Sequence, residues 1–331
     1  MKILLVCGGN IPIPPPSWGG VENLIWQQSR ALLAAGHEVK IWNQKGRGMR
    51  RLLTAMQALP WRYDVVHLHS DTHTKYWLPL SWLFRFNLVV STHYGYAAFP
   101  EHWVKKYIKT FQWLRRGRFL LLISHEIEAT FVRLGCKAKM FVLPNGIDSG
   151  SFRFAPTSTK QSIVLGRIES RKQQSLLSLK LDTSTVECDF AGPLPPDTDF
   201  HVNNRNTRYL GEWSRAHIQE NLTEYACLVL LSDGEGHAAV VSEAMVAGLS
   251  LVLSPEASHN LDLSRPWITI VDRDNDDLGL AIAQAVLNNH KYRPEIRRYC
   301  QENFDWSIIM PQYISILQQV VGGVEPNYQN C

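Results

Sequence analysis

The sequence is short of long apolar runs. Trp77 to Phe84 is apolar but stops at Arg85, whereas a bilayer-spanning helix needs about 20 such residues. No secretory leader is expected at the N-terminus: the run Ile3 to Cys7 breaks at Gly8-Gly9 and then meets four prolines. Cysteine pairs are also missing. Six cysteines, at positions 7, 136, 188, 227, 300 and 331, form no C-x-x-C and no tight framework, so we expect a reducing compartment and buried thiols. No H-E-x-x-H accompanies the histidines. Excess charge is small. Thirty-four basic and thirty acidic residues leave a net +4, too little to imply nucleic acid as a partner. No repeat and no low-complexity tract is visible.

What is present suits two α/β domains. The chain has 331 residues and is 45% hydrophobic, enough for two cores. Lys2 to Cys7 reads as a central parallel strand, apolar on both faces. A proline-rich loop leads to Gly19-Gly20-Val21-Glu22, which opens a helix reaching about Ala35, and Val39 to Trp42 follows as a strand. This order is Rossmann-like, but the G-x-G-x-x-G fingerprint is absent, which argues against an NAD oxidoreductase. Asp64 to His69 is a third strand with His67 and His69 on one face, and Asp71 and His73 just beyond. A metal site on these groups is a minor reading. Leu88 to Thr92 is a fourth strand ending at His93. Phe119 to Ile123 is a fifth, with Ser124 capping the next helix.

The most informative stretch is Ser232 to Gly248. An apolar strand, Cys227 to Leu231, passes through a Gly/Asp loop into an Ala-rich helix starting near Ala239 and ending at Gly248. Such a loop leaves N–H groups free at a helix start, which suits a phosphate. Glu235 lies in the loop and Glu243 about one turn into the helix. A second basic loop, Gly166-Arg167-Ile168-Glu169-Ser170-Arg171-Lys172, follows the strand Ser162 to Leu165. Glu101 to Arg118 mixes Lys105, Lys106, Lys109, Arg115, Arg116 and Arg118 with Trp103, Tyr107, Phe111 and Trp113. It reads either as a surface helix with a wet basic face or as a patch for anionic lipid, which Arg47, Arg50 and Arg51 would extend.

The phrase from Glu235 to Glu243 resembles the E-x7-E signature of GT-B glycosyltransferases of the GT4 type. Other phrases are similar to the same family: Gly19-Gly20-Val21-Glu22, Thr92-His93-Tyr94-Gly95, Pro144-Asn145-Gly146-Ile147-Asp148, Arg167 with Lys172, and Tyr209-Leu210-Gly211-Glu212-Trp213. The resemblance implies two Rossmann-like domains facing a central cleft, with a C-terminal helix returning to the N-terminal domain. The expected divisions are 1–155 for an acceptor domain, 156–305 for a nucleotide-sugar domain, and 306–331 for the returning helix and a loose tail. It further implies that Glu235 contacts the donor sugar, Glu243 the ribose hydroxyls, and Arg167 and Lys172 the diphosphate. His93 would line the reaction centre. Gly19 and Gly20 would admit a phosphate or sugar close to the main chain. Gly236, His237, Ala238 and Ala239 would supply the helix start, although the family usually carries an aromatic and a glycine where His237 and Ala238 stand. Trp213 is either a stacking partner for the base or a core aromatic.

The implied activity is retaining, metal-independent transfer from a nucleoside-diphosphate sugar to a hydroxyl acceptor, whether glycan, glycolipid or small molecule. A UDP-sugar is the default co-substrate, and no cofactor or nucleic acid is expected. The expected location is cytoplasmic, with a peripheral membrane contact through Lys105, Lys106, Lys109, Arg115 and Arg116. The alternatives are a nucleotide-sugar-binding protein without transfer activity, a GT-B hydrolase or epimerase, and a metal hydrolase on His67, His69 and Asp71. Asp272 to Asp277 contains the D-x-D that holds metal in the GT-A fold, but it precedes a helix, Leu278 to Leu287, where acids suit the dipole.

Overall fold

The computed structural model describes residues 1–322 except 16–18, 47, 183, 197, 199, 201 and 203–204. Arg47 and the tail beyond Gly322 therefore lie outside the described residues. The chain forms two compact units, one of Met1–Gly146 plus the segment from Trp306, the other of Ile147–Asp305.

The first unit runs β1 (Lys2–Cys7), α1 (Gly20–Ala34), β2 (Glu38–Asn43), α2 (Arg50–Gln57), β3 (Val65–Leu68), α3 (Thr74–Phe84), β4 (Leu88–Ser91), α4 (Lys105–Leu114), β5 (Phe119–Leu122), α5 (His125–Arg133) and β6 (Lys139–Val142). Its six strands are parallel in the order β2-β1-β3-β4-β5-β6. Central strands are buried throughout, which is why they read as unbroken apolar runs, while the edge strands β2 and β6 are only partly buried. Ser124 caps α5, its Oγ accepting from Ile127 N at 3.4 Å.

The second unit runs β7 (Lys160–Leu165), α6 (Gln174–Lys180), β8 (Cys188–Ala191), β9 (Thr207–Tyr209), α7 (Arg215–Asn221), β10 (Tyr225–Leu230), α8 (Ala239–Val246), β11 (Ser250–Leu253), β12 (Ile268–Ile270) and α9 (Leu278–Phe304). Its six parallel strands follow the order β12-β11-β10-β7-β8-β9. The direction in which successive strands are added reverses between β7 and β10, and between β1 and β3 in the first unit. Parallel α/β sheets bind ligands at such switch points, beyond the carboxyl ends of the strands.

The last helix, α10 (Trp306–Val321), belongs to the first unit. Trp306, Ile309, Met310, Tyr313, Leu317 and Val320 are buried at helical spacing and pack with Ile25 and Leu32 of α1 against Ile3, Leu5, Val65, Val89 and Leu121 of the sheet. The opposite sheet face is covered from α3, α4 and α5 by Trp77, Leu80, Tyr107, Phe111, Ile127 and Phe131. Each such side chain contributes roughly 1.5–3 kcal/mol on burial. The sheet thus depends on a segment about 160 residues downstream of β6 for half of one face.

Two expectations change here. The division falls after Gly146, not after residue 155, so residues 147–155 belong to the second unit. Arg297 of α9 donates to the carbonyls of Ser149 at 3.1 Å and Val246 at 2.8 Å. Arg293 is fully buried and donates to Ala155 O (3.1 Å), Tyr225 O (2.9 Å), Thr223 O (2.6 Å) and Asn289 Oδ1 (2.7 Å). Second, α9 does not stop at Leu287 but continues for 27 residues through Pro294. The local loss of one helical hydrogen bond at Pro294 is outweighed by what flanks it: Arg293 on one side and buried Ile296 on the other.

Replacing Arg293 by Leu keeps volume but strands several carbonyls. We expect a loss of about 1–3 kcal/mol for each buried acceptor left unpaired, read as a lower urea midpoint. An unchanged midpoint would show that those carbonyls find other donors.

Candidate functional site

In the second unit, two loops leave the sheet on either side of the switch point. The first, after β7, begins at Gly166. Its φ is +142°, and a Cβ there would stand 2.7 Å from Lys172 Nζ. Gly192, after β8, approaches so closely that a Cβ would lie 2.1 Å from Gly166 O. Gln174 braces this loop internally: its Nε2 donates to Arg167 O at 2.9 Å, and its Oε1 accepts from Glu169 N at 3.2 Å. The second loop, after β10, carries Glu235.

Arg171 joins the two. Its guanidinium bonds Glu169 Oε1 at 2.7 Å and Glu235 Oε1 at 2.8 Å, and also reaches Gly234 O. Its own carbonyl accepts from Asp233 N at 3.0 Å. Burial works against the Arg171 charge, but Glu235 and Glu169 more than offset it and raise its pKa. Ser232 Oγ adds a bond to Glu235 Oε1 at 3.0 Å. Glu243, in the first turns of α8, is paired with Arg215, the first residue of α7, whose guanidinium stands 5.0 Å over the Phe152 ring. Sequence reasoning left Arg171 without a role and did not find Arg215 or Gln174. Arg167 and Lys172 differ from these cations. Among the described residues, neither side chain has a carboxylate or hydrogen-bond partner.

Helix α8 begins at an N-cap that offers no oxygen, Ala238, so no side chain caps it. Ala238 has φ −72°, an ordinary conformation, so a glycine is not required there. Trp213 departs from the stacking role considered for its side chain, and the His237 side chain is buried. The His237 ring packs 5.3 Å from Phe304 with Ser242 Oγ 3.4 Å from Nε2. Burial and the nearby His259 bring its pKa to about 4. Trp213 is 7% exposed and packs on His217 and Tyr225. Its place is with the core aromatics. Gly236 is buried within the loop, and Ala239 is exposed at the helix start.

In the first unit, Gly19 caps α1 and Gly20 begins it, exposed and open on all sides. A Cβ at Gly19 would crowd Pro15 Cβ and Glu22 Oε2, both at 3.1 Å. His93 follows β4 and sits at the end of a row of imidazoles. Its Nε2 is 3.2 Å from His69 Nδ1, with the rings 9° from parallel. The His69 ring lies 3.9 Å from that of His67. Both nitrogens of His67 are taken, by Tyr313 Oη at 2.7 Å and Ser91 Oγ at 2.8 Å. Burial lowers all three pKa values, to about 3 for His67 and about 4 for His93. Asp71 faces elsewhere, accepting from Thr72 N at 2.6 Å and Thr92 Oγ1 at 3.0 Å, and burial raises its pKa. His67 and Asp71 therefore do not present a common ligand set for metal. Asp272 likewise spends its oxygens on its own turn, accepting from Asp274 N at 2.9 Å and Asn275 Nδ2 at 2.7 Å.

Helix α4 turns its aromatics inward. Tyr107 and Phe111 are buried and Trp103 and Trp113 pack on the core, while Lys105, Lys106, Lys109 and Arg116 are exposed. Arg115 is partly buried and bonds Gly135 O at 3.1 Å. The exposed apolar groups nearby are Val104 and Ile108 of this segment, and Met49, Leu53, Trp82 and Leu83 from α2, α3 and the turn before α2. No helix among the described residues is long and apolar enough to cross a membrane. The five described cysteines are free and buried.

The imidazole row predicts a pH dependence. Unfolded, these histidines take up protons near pH 6.5; folded, His93 does so near pH 4 and His67 near pH 3. Between those limits the unfolded chain binds more protons, so stability is full above about pH 6.5 and falls as pH drops toward 4. Urea midpoints at pH 7, 6 and 5 should decline, and decline less steeply in His69→Gln. Equal slopes would mean the row is not neutral when folded.

Residues 42–150 match the family model described as Glycosyltransferase Family 4. No curated protein sequence gives a match. Among solved structures, sucrose-phosphate synthase from Thermosynechococcus elongatus superposes with a TM-score of 0.79 at 14% identity, covering 98% of this chain and 100% of that one. HepE of Anabaena in complex with UDP-glucose gives 0.75 at 16% identity, covering 96% and 100%. The lipopolysaccharide outer core galactosyltransferase WaaB gives 0.69 at 15% identity, covering 98% and 99%. The chain therefore has the GT-B fold of two Rossmann-like units, and its residues 42–150 are similar to Glycosyltransferase Family 4.

Proposed function

We propose that this protein is a retaining glycosyltransferase that moves a sugar from a nucleoside-diphosphate sugar to a hydroxyl acceptor without a metal. The observation that carries this reading is the division among cations at the switch point of the second unit. Arg171 and Arg215 are neutralised by Glu235 and Glu243, whereas Arg167 and Lys172 have no such partner among the described residues. Beside them α8 begins without a side-chain cap. Two unpaired cations and free helix amides suit a diphosphate.

The chemistry follows from that arrangement. As the bond from the anomeric carbon to the diphosphate breaks, negative charge grows on the leaving oxygen. Fixed cations stabilise that charge without reorganising. Arg167 and Lys172 take this role. Glu235, held by Arg171 and Ser232, orients the sugar. Glu243 uses one oxygen on Arg215, and a carboxylate has about four acceptor positions, so it keeps capacity for the ribose hydroxyls. The acceptor hydroxyl then attacks the face the diphosphate leaves. The first unit carries acceptor selectivity, with His93 as the group it offers to the sugar. UDP is the default nucleotide, in line with the HepE complex.

An anionic lipid surface is the partner we infer for the first unit, with a lipid-linked acceptor. Support comes from the cationic exposed face of α4 together with the exposed Met49, Leu53, Trp82 and Leu83 on neighbouring helices. The name of WaaB, a lipopolysaccharide galactosyltransferase, is consistent with this.

A panel of nucleotide sugars, scored for both thermal shift and turnover, tests the main reading. Transfer or slow donor hydrolysis in the presence of chelator is expected. Tight binding without turnover would favour a nucleotide-sugar-binding protein, and a freed or epimerised sugar as sole product a hydrolase or epimerase. Arg167→Ala or Lys172→Ala should cut turnover on the order of 10²-fold, as when other oxyanion-stabilising donors are removed. Near-normal turnover in both would remove the diphosphate role. Lys105, Lys106 and Lys109 changed together to Gln should weaken binding to phosphatidylserine vesicles roughly 100-fold, at about 1 kcal/mol per cation. If the wild-type protein ignores such vesicles, the lipid partner is wrong.

A further inference from the structure

A small cavity lies against the imidazole row of the first unit. Gln28 of α1, His69, His93 and Asn145 line it, with Leu24 and Ile309 among its apolar walls. Its volume is about 20 Å³, above the roughly 10–15 Å³ that one water requires. Two of its polar walls are incomplete. Gln28 Oε1 and His69 Nε2 are both buried and have no hydrogen-bond partner among the described residues. Their residues are 4% and 5% exposed. Buried polar atoms in folded proteins are completed by protein groups or by ordered water.

We propose that this cavity is a built site for one water molecule bridging Gln28 Oε1 and His69 Nε2, and that through it Gln28 positions His93. The amide oxygen of Gln28 can only accept, so the water donates to it. The same water meets His69 Nε2. A neutral imidazole has one N–H, so what Nε2 does dictates what Nδ1 does. His69 Nδ1 is the atom that faces His93 Nε2, at 3.2 Å. The water therefore holds the far edge of the His69 ring, and the near edge holds His93. Because water donates and accepts, it anchors the ring in either tautomer. His67 needs no such bridge, since Tyr313 and Ser91 already occupy both its nitrogens. Gln28 is thus a positioning residue, acting two steps from His93. The water site stands on this geometry alone; its bearing on transfer rests on the function proposed above.

A high-resolution crystal structure of the unliganded wild-type protein is the first test. A water within hydrogen-bond distance of both atoms is expected. A dry cavity, or a Gln28 amide bonded directly to His69, overturns the site. The second test is nitrogen NMR of histidine-labelled protein, comparing wild type with Gln28→Met, which keeps length and removes the acceptor. The His69 Nε2 resonance should shift and His93 should follow, while His67 stays in place. No shift, or equal shifts at all three rings, overturns the positioning role. Should the variant fail to fold, the crystal structure still decides the site. Should no nucleotide sugar be turned over, the proposed function fails while both structural results remain.

Discussion

One partly buried guanidinium organises the second unit's switch point. Loops from β7 and β10 arrive there independently, and Arg171 is bonded to both. Taking such a charge out of water costs several kcal/mol unless good partners replace the solvent. Two carboxylates and a carbonyl do so here, and the main-chain bond from Asp233 N to Arg171 O fixes the loops together irrespective of charge. The consequence is directional. Glu235 is 9% exposed and tied at one oxygen by two donors, Arg171 and Ser232. It cannot swing to follow a ligand, so a ligand must be accommodated by an acid already in place. Without Arg171, Glu169 and Glu235 would face each other as like charges.

Seen this way, pairing decides which cations remain for chemistry. Arg171 sits beside Lys172 in sequence, yet their surroundings differ. One is committed to carboxylates, while the other folds back across Gly166, where only a glycine leaves room for its amino group. The two glycines at 166 and 192 are therefore part of the electrostatics, because they let a cation and two loops approach the strand ends. Ala238 adds to the same design. A serine or aspartate at that N-cap would satisfy the first amides of α8 internally; alanine leaves them for another acceptor, at φ −72° and without strain.

Much of the fold was legible in the sequence, for a simple reason. Strands buried on both faces must be apolar throughout, so β1, β4, β5, β7, β10 and β11 announce themselves. The helix starts at Gly20, after Ser124 and at Ala239 were readable from their glycines and caps. What was hidden depends on partners distant in sequence. Nothing local says that Ser149 to Ala155 will be captured by arginines at 293 and 297, and so the division was expected some nine residues too late. The extension of α9 past Leu287 was hidden too, because the cost of Pro294 is local while its compensation is tertiary. In the site, the charged residues were visible but their pairing was not. Arg215 lies 28 positions before Glu243, at no spacing that a helix or strand would reveal. Trp213 was ambiguous for another reason: an aromatic ring suits both a ligand and a core, and only the observed neighbours, His217 and Tyr225, separate the two.

The three histidines show how far packing can change what a motif means. An H-x-H at a strand end offers metal ligands, but here the rings of His67 and His69 lie 3.9 Å apart in a buried row, and both nitrogens of His67 are bonded to hydroxyls. One of those hydroxyls comes from Tyr313 of α10, so the last helix supports a strand end some 245 residues earlier. Burial then sets the chemistry. A general base works best with a pKa near the operating pH, and His93 stands at about 4. At neutral pH it is an uncharged imidazole with one edge held by His69. What it can give a ligand is an oriented hydrogen bond rather than a place to store a proton. In the retaining transfer proposed above, the proton of the acceptor hydroxyl would therefore leave by another route, and the departing diphosphate, newly charged on the face that the hydroxyl attacks, would be the base to receive it.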